Sequence, residues 1–156
     1  MTIQEYIETI NKRFRAGIST EHSYRGDLQA LLKALAPQVE VTNEPQRIDC
    51  GAPDYILTRK NIPVGYIEAK DIGKSLDSKL YKEQFARYQS SLQNLIITDY
   101  LEFRLYLDGV FTTSIVLAAT ESGKIVAKPE NFAAFTDLIR EFSRYDGQTI
   151  KSASKL

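Results

Sequence analysis

The chain has 156 residues, 43% apolar and 26% charged, the size and make-up of one globular domain with room for a real core. Its 20 basic and 20 acidic side chains cancel, so it lacks the cationic excess that grips nucleic acid by charge alone; basic groups gathered on one face, or better a further domain or partner, would have to supply that grip. One cysteine, Cys50, excludes an internal disulfide, and one histidine, His22, leaves too few ligands for a zinc cluster.

In chain order, Ile3, Tyr6, Ile7, Ile10 and Phe14 recur at helical spacing, and Gly17 closes that helix. A second helix starts at Ser19-Thr20-Glu21-His22, with either hydroxyl as N-cap, and carries the stripe Leu28, Leu31, Leu32, Leu35 up to Pro37. Val39 to Thr42 alternates as a half-buried strand, which Asn43-Glu44-Pro45 breaks. Two β-rich runs, Tyr55–Thr58 and Val64–Ile67, flank the polar turn Arg59-Lys60-Asn61-Ile62-Pro63 and read as a hairpin. Asp77 to about Leu92 is the next helix, with Leu80, Tyr81, Phe85, Tyr88 and Leu92 on its apolar side. Leu95–Thr98 is a strand buried on both faces. Leu101–Leu107 and Val110–Ala118 form a meander turning at Asp108-Gly109. Pro129 opens a last helix bearing Phe132, Phe135, Leu138, Ile139 and Phe142, with Gly147 as its stop. These parts predict an α/β fold, a mixed central sheet flanked by helices. The opening residues Met1–Tyr6 lack a leader pattern and no run approaches the ~20 apolar residues of a membrane span, so a cytoplasmic location is expected.

The chemistry gathers at the open end of the hairpin. Centring its turn on Asn61 puts Asp54 opposite Glu68, and like charges facing across paired strands need a cation, a shared proton or full solvation. Side chains alternate faces along a strand, so Glu68 and Lys70 point together while Ile67 and Ala69 point away. Two carboxylates and an ammonium on one face suit metal-assisted phosphodiester hydrolysis. The plain alternative is a surface hairpin that ends in three ordinary charged residues.

Ala52-Pro53-Asp54 with Glu68-Ala69-Lys70 resembles the Pro-Asp…(Asp/Glu)-x-Lys signature of the restriction-endonuclease-like nucleases. Gln84-Phe85-Ala86-Arg87-Tyr88 is similar to the Gln-x-x-x-Tyr motif of the RecB/Mrr-like branch, and residues four apart share a helix face. Longer stretches, Thr20–Arg25, Glu68–Lys74 and Thr98–Arg104, with Tyr145–Ile150 at the exit, resemble the amino-terminal nuclease module of single-chain type ISP and type IIG-like restriction–modification enzymes. The resemblance implies an N-terminal helix at 1–18, a nuclease domain at 19–146 and a linker at 147–156 toward a downstream helicase or adenine methyltransferase. No methyltransferase signature occurs within the 156 residues. It implies a Mg²⁺-dependent DNA endonuclease, with Mn²⁺ as substitute and dimerisation as a route to double-strand cuts.

Carried onto this sequence, the resemblance makes Asp54 and Glu68, with the Ala69 carbonyl, the metal ligands. Lys70 attends the attacking water, and Gln84 holds the lysine or the water in line. Glu21 matches an acidic residue on the helix before the core sheet, though it equally serves as a first-turn acid against the helix dipole. His22 matches an upstream metal-binding histidine or is simply a surface or capping residue, and Glu44 is a weaker acidic candidate. Tyr24, Arg25, Gly73, Lys74 and Tyr88 are the candidate DNA contacts; Arg25 otherwise pairs with Asp27 or Glu21, and Tyr88 is otherwise a core tyrosine. Gly73-Lys74-Ser75 imitates the end of a phosphate-binding P-loop, but such a loop needs glycine at position 68, where Glu68 stands. The three main residues are expected at a solvated strand end, where removing Asp54 would raise the metal-free melting temperature by relieving the facing acids. Two other functions fit less of the pattern: a nuclease fold that binds DNA or docks a partner without cutting, and an acid–base hydrolase of the glycosidase kind.

Overall fold

The computed structural model describes residues 1–17, 21–43 and 51–145, at positions 21 and 22 by their backbone only. Helix α1 (Ile3–Ala16) begins with a capping box: the Thr2 hydroxyl accepts the Glu5 N–H at 3.1 Å, and the Glu5 carboxylate accepts the Thr2 N–H at 2.8 Å. Gly17, at φ 69°, closes it in the left-handed conformation. Helix α2 (Glu21–Leu35) follows; its expected cap at Ser19 or Thr20 lies outside the described residues.

Strands β1 (Glu40–Asn43), β2 (Tyr55–Arg59) and β3 (Ile62–Ala69) run antiparallel in that order. The β2–β3 connection is tighter than the sequence suggests. Lys60 and Asn61, at φ 53° and 67°, make a two-residue turn, and the strands run on into Arg59 and Ile62. A register shift beside Leu57 absorbs the extra residue. Beyond it Leu57 faces Gly65 and Tyr55 faces Ile67, the register that sets Asp54 against Glu68.

Residues 77–92 form two pieces, a 3₁₀ turn at Lys79–Tyr81 and helix α3 (Lys82–Ser91). The tighter turn rotates Leu80 off the apolar stripe, so this expected core residue is 86% exposed. Strand β4 (Asn94–Thr98) is wholly buried and lies parallel to β3, which makes β3–α3–β4 the one parallel crossover of the six-stranded sheet. Strands β5 (Glu102–Leu107) and β6 (Val110–Val116) complete it in the order β1-β2-β3-β4-β5-β6. The expected run to Ala118 breaks at Leu117, whose N–H goes to the Leu101 carbonyl. A separate hairpin follows, β7 (Ala118–Glu121) and β8 (Lys124–Ala127), turning at Ser122-Gly123. A 3₁₀ turn at Pro129–Asn131 opens α4 (Phe132–Ser143); the expected stop at Gly147 lies outside the described residues.

The sheet separates two unequal cores. On one face, α1, α2 and α4 pack with the β7–β8 hairpin over Tyr55, Leu57, Ile67, Ala69, Ile96 and Phe103. The α1 side chains Ile3, Tyr6, Ile7 and Ile10 are buried in this same core. Gly65 lets α4 lie close, since a Cβ there would come within 2.5 Å of the Phe142 ring. Asn94 ties the layers together, its amide donating to the Val64 and Phe142 carbonyls at 2.7 and 2.9 Å. The other face holds a smaller cluster, Leu76, Phe85, Tyr88, Leu92, Leu95 and Ile97, under α3 alone. This is the expected mixed α/β architecture.

Candidate active site

At the carboxyl end of β3, where the parallel partner β4 begins the second half of the sheet, Glu68 pairs with Ile97 and Ala69 with Thr98. Open α/β sheets place their ligand crevices at such strand ends. The Lys70 N–H continues the ladder to the Thr98 carbonyl at 2.8 Å. Lys70 therefore leaves the sheet on the same side as Glu68, and its Nζ lies 3.1 Å from Glu68 Oε2. Gln84 Oε1 accepts from the same Nζ at 2.8 Å. The ring of Tyr81 lies under the ammonium at 4.6 Å, and that of Phe85 at 5.8 Å. Four groups thus orient one ammonium. The sequence pattern points Gln84 at this lysine, and the structure brings the two together; for Tyr81 the same pattern offers only a core position.

Asp54 precedes β2, and donors from α2 and β3 hold it. Its Oδ2 accepts the Ala69 N–H at 2.7 Å, across the open end of the hairpin. Its Oδ1 accepts from the Arg25 guanidinium of α2 at 2.5 Å. Asp27, one of the expected partners of Arg25, is instead bound by Arg13 of α1 at 2.7 Å. The Arg25–Asp54 pair is what the sequence reading missed. No local pattern reports it, because the two residues lie 29 positions apart on elements whose crossing is set by the fold.

The facing acids are not at a solvated strand end: Asp54 is 8% exposed and Glu68 4%. Burial, and then the neighbouring Asp54 charge, push the Glu68 carboxyl up from 4.5 to about 7, against the pull of Lys70. Oε1 of Glu68 is buried without a hydrogen-bond partner. A buried carboxyl oxygen in that state is costly, and a hard cation or a proton shared with Asp54 would supply its partner. The two oxygen-donor side chains therefore fit Mg²⁺ or Mn²⁺. Among the described residues no cluster of three or more acidic, histidine or cysteine side chains is available to hold a metal. The side chains of Glu21 and His22, and all of Glu44, lie outside the described residues.

The candidate DNA contacts divide. Gly73 and Lys74 are exposed on a turn and border a 330 Å³ cleft with Asp99, Glu102 and Val116. Tyr24 is buried against the Tyr100 ring at 5.5 Å, and Tyr88 is 1% exposed in the smaller core. Their expected contact with DNA is corrected on that ground, since neither ring is accessible. Tyr88 instead fills the space beside Gly51, where a Cβ would stand 2.9 Å from its hydroxyl. Arg25 and the Ala69 N–H compensate the charge of Asp54, so its removal is expected to lower metal-free stability and not to raise it.

A scan of protein-family models finds no match to this chain, and a search of curated proteins finds none either. Among solved structures, the chain is similar to the cryo-EM structure of the DrdV–DNA complex, with a TM-score of 0.68 and 22% identity. The match covers 96% of this chain and 14% of that one. The likeness is one of fold, a mixed central sheet flanked by helices. Among the described residues no helix is long and apolar enough to cross a membrane.

Proposed function

We propose that the chain is a Mg²⁺-dependent DNA endonuclease domain, the cleavage module of a larger restriction–modification enzyme. The observation that carries this reading is the convergence of Asp54, Glu68, Lys70 and Gln84 at one strand end, with a buried Glu68 oxygen lacking a partner. The likeness to a DNA complex supports DNA as the partner, and the 14% coverage supports a role as one module of a long polypeptide. A downstream methyltransferase or helicase, and dimerisation for double-strand cleavage, belong to this proposal.

Asp54 and Glu68 are the side chains to hold the cation, together with the Ala69 carbonyl and, in the fuller set, Glu21. When bound, Mg²⁺ supplies an acidified water and a polarised phosphate oxygen, and Mn²⁺ does the same. Lys70 donates its N–H groups to the charge that develops on the phosphate, which a fixed ammonium stabilises without reorganising. Gln84 and the Tyr81 ring hold that ammonium in one orientation, with Glu68 Oε2 beside it. Gly73 and Lys74 form an exposed basic edge alongside.

The test is plasmid nicking by this chain and by the longest polypeptide that carries it, with Mg²⁺, Mn²⁺ and chelator compared. Metal-dependent nicking that falls by about 10³-fold or more in Asp54→Asn, Glu68→Gln and Lys70→Ala is expected. Cleavage that persists in chelator, or a Lys70→Ala variant cutting at the wild-type rate, would falsify the assignment. A catalytically silent docking module is the competing reading, favoured by the hold of Arg25 on Asp54. It predicts no Mn²⁺ heat that depends on Asp54.

A further inference from the structure

We infer that Arg25 is the resident counter-ion of Asp54 in the metal-free protein, and that a divalent cation takes up Asp54 only by displacing it. The inference rests on the nuclease reading above and concerns how its metal site is controlled. Both oxygens of Asp54 are engaged, Oδ1 by the Arg25 guanidinium and Oδ2 by the Ala69 N–H. The second is a backbone donor fixed by the β3–β4 ladder. The first is a long side chain and is the one that can leave. Arg25 is itself enclosed, its side chain 12% exposed against 10% for Asp54, so the ion pair is shielded from water and screening salt.

The backbone of Arg25 is anchored separately. Its carbonyl accepts the Tyr55 hydroxyl at 2.9 Å, and Tyr55 is the residue after Asp54. Release of Asp54 is therefore a side-chain swing and not a movement of α2. The swing keeps the cationic head beside the site, where a planar, bidentate donor suits a substrate phosphate. Two cations, one organic and one metallic, cannot both occupy the Oδ1 lone pairs at hydrogen-bond and coordination distance without strong repulsion. Arg25 is thus a positioning residue that acts on the metal through Asp54. It stabilises the empty site and weakens metal affinity by the same interaction, as linkage requires.

The consequence is opposite to that of an ordinary structural ion pair. Calorimetric titration of Mn²⁺ into wild type and Arg25→Gln is expected to give at least about fivefold tighter binding in the variant, the range typical of such coupling. In chelator the variant is expected to melt lower than wild type, and saturating Mn²⁺ to raise its melting temperature by more than it raises that of wild type. Equal or weaker Mn²⁺ affinity in Arg25→Gln overturns the inference. Should that variant not fold in chelator, wild type alone decides through the Arg25 side-chain Nε–Hε resonance, assigned by its loss in Arg25→Lys. Addition of Mg²⁺ is expected to shift it and speed its exchange with water, and an unmoved, still protected signal overturns the inference. Asp54→Asn separates the two levels: if wild type gives no Asp54-dependent Mn²⁺ heat, the nuclease reading fails. If that heat is present while Arg25→Gln binds no tighter, only the role of Arg25 fails.

Discussion

The two faces of the sheet solve different problems. Under α1, α2 and α4 the buried groups are overwhelmingly apolar, and even the polar Asn94 uses its amide to bind two carbonyls from different layers. Under α3 the cover is a single ten-residue helix, and at its edge lie two buried carboxyls, two partly buried cations and a Glu68 oxygen with no hydrogen-bond partner. The first face maximises packing, and the second tolerates electrostatic tension at a strand end. Buried charge kept beside a thin core is a poor way to stabilise a fold, since well-packed apolar groups would serve at least as well. The contrast argues that the α3 face is shaped by chemistry and the opposite face by stability.

Truncation on the opposite face tests that division with the largest expected effect. Phe142 is buried and packs against Gly65, where no side chain is present to refill the space. Phe142→Ala should cost about 3–5 kcal/mol of unfolding free energy. Denaturant melts should show the midpoint falling, and metal should neither restore nor deepen the loss. At the α3 edge, Asp54→Ala should lower metal-free stability by about 3 kcal/mol, because it removes the carboxylate paired with a largely buried guanidinium and the acceptor of the Ala69 N–H. A rise in melting temperature would mean that repulsion from Glu68 outweighs both donors.

What could be read in advance follows the range of the interactions. The facing of Asp54 and Glu68 is set by a turn only a few residues away, so the hairpin pattern carried it even though the turn itself proved tighter. The reach of Gln84 to Lys70 follows from a helix that returns over its own strand, again a local event. Arg25 and Asp54 meet only once α2 has crossed the sheet, and charge patterning along the chain holds no record of that crossing. Exposure was the other blind spot. Tyr24, Tyr88 and Leu80 sit at helical spacing that fits either a core stripe or a working face, and only the tertiary packing buried the two tyrosines and expelled the leucine. The break at Leu117 turned on one backbone hydrogen bond to Leu101, while the Ser122-Gly123 turn stood in the sequence as a dipeptide beyond the end of the expected β run.

The Glu68 carboxyl gives the contrast a pH axis. Its value is raised in the folded chain, from 4.5 to about 7, so the native state binds a proton that the unfolded state releases across that interval. The associated stability is fully present below about pH 4.5 and is lost as pH rises through 7, by about 3 kcal/mol at most. Carboxyls elsewhere with the opposite shift, such as Asp77 beside Arg104, lose stability as the medium turns acid, so a single profile mixes both signs. Subtracting the chelator profile of Glu68→Gln from that of wild type isolates the first contribution. The difference should fall between pH 4.5 and 7, and a flat difference would place Glu68 in a better-solvated setting. Mn²⁺ affinity should climb over the same interval, since the proton must leave before the oxygen can ligate.

The smallest effect probes whether Gln84 belongs to the chemistry or to the fold. Its amide oxygen is one of several groups around the Lys70 ammonium, and Glu68 and Tyr81 remain when it is removed. Gln84 is only partly buried, so Gln84→Ala should leave stability within about 1 kcal/mol of wild type. What it removes is orientation, and a loosened ammonium should lower kcat about tenfold with KM for DNA little changed. Gln84→Glu keeps an acceptor oxygen at the same reach and should recover most of that rate. A parallel loss in KM would assign Gln84 to DNA contact, and an unchanged kcat would leave Glu68 and Tyr81 as sufficient to aim the lysine.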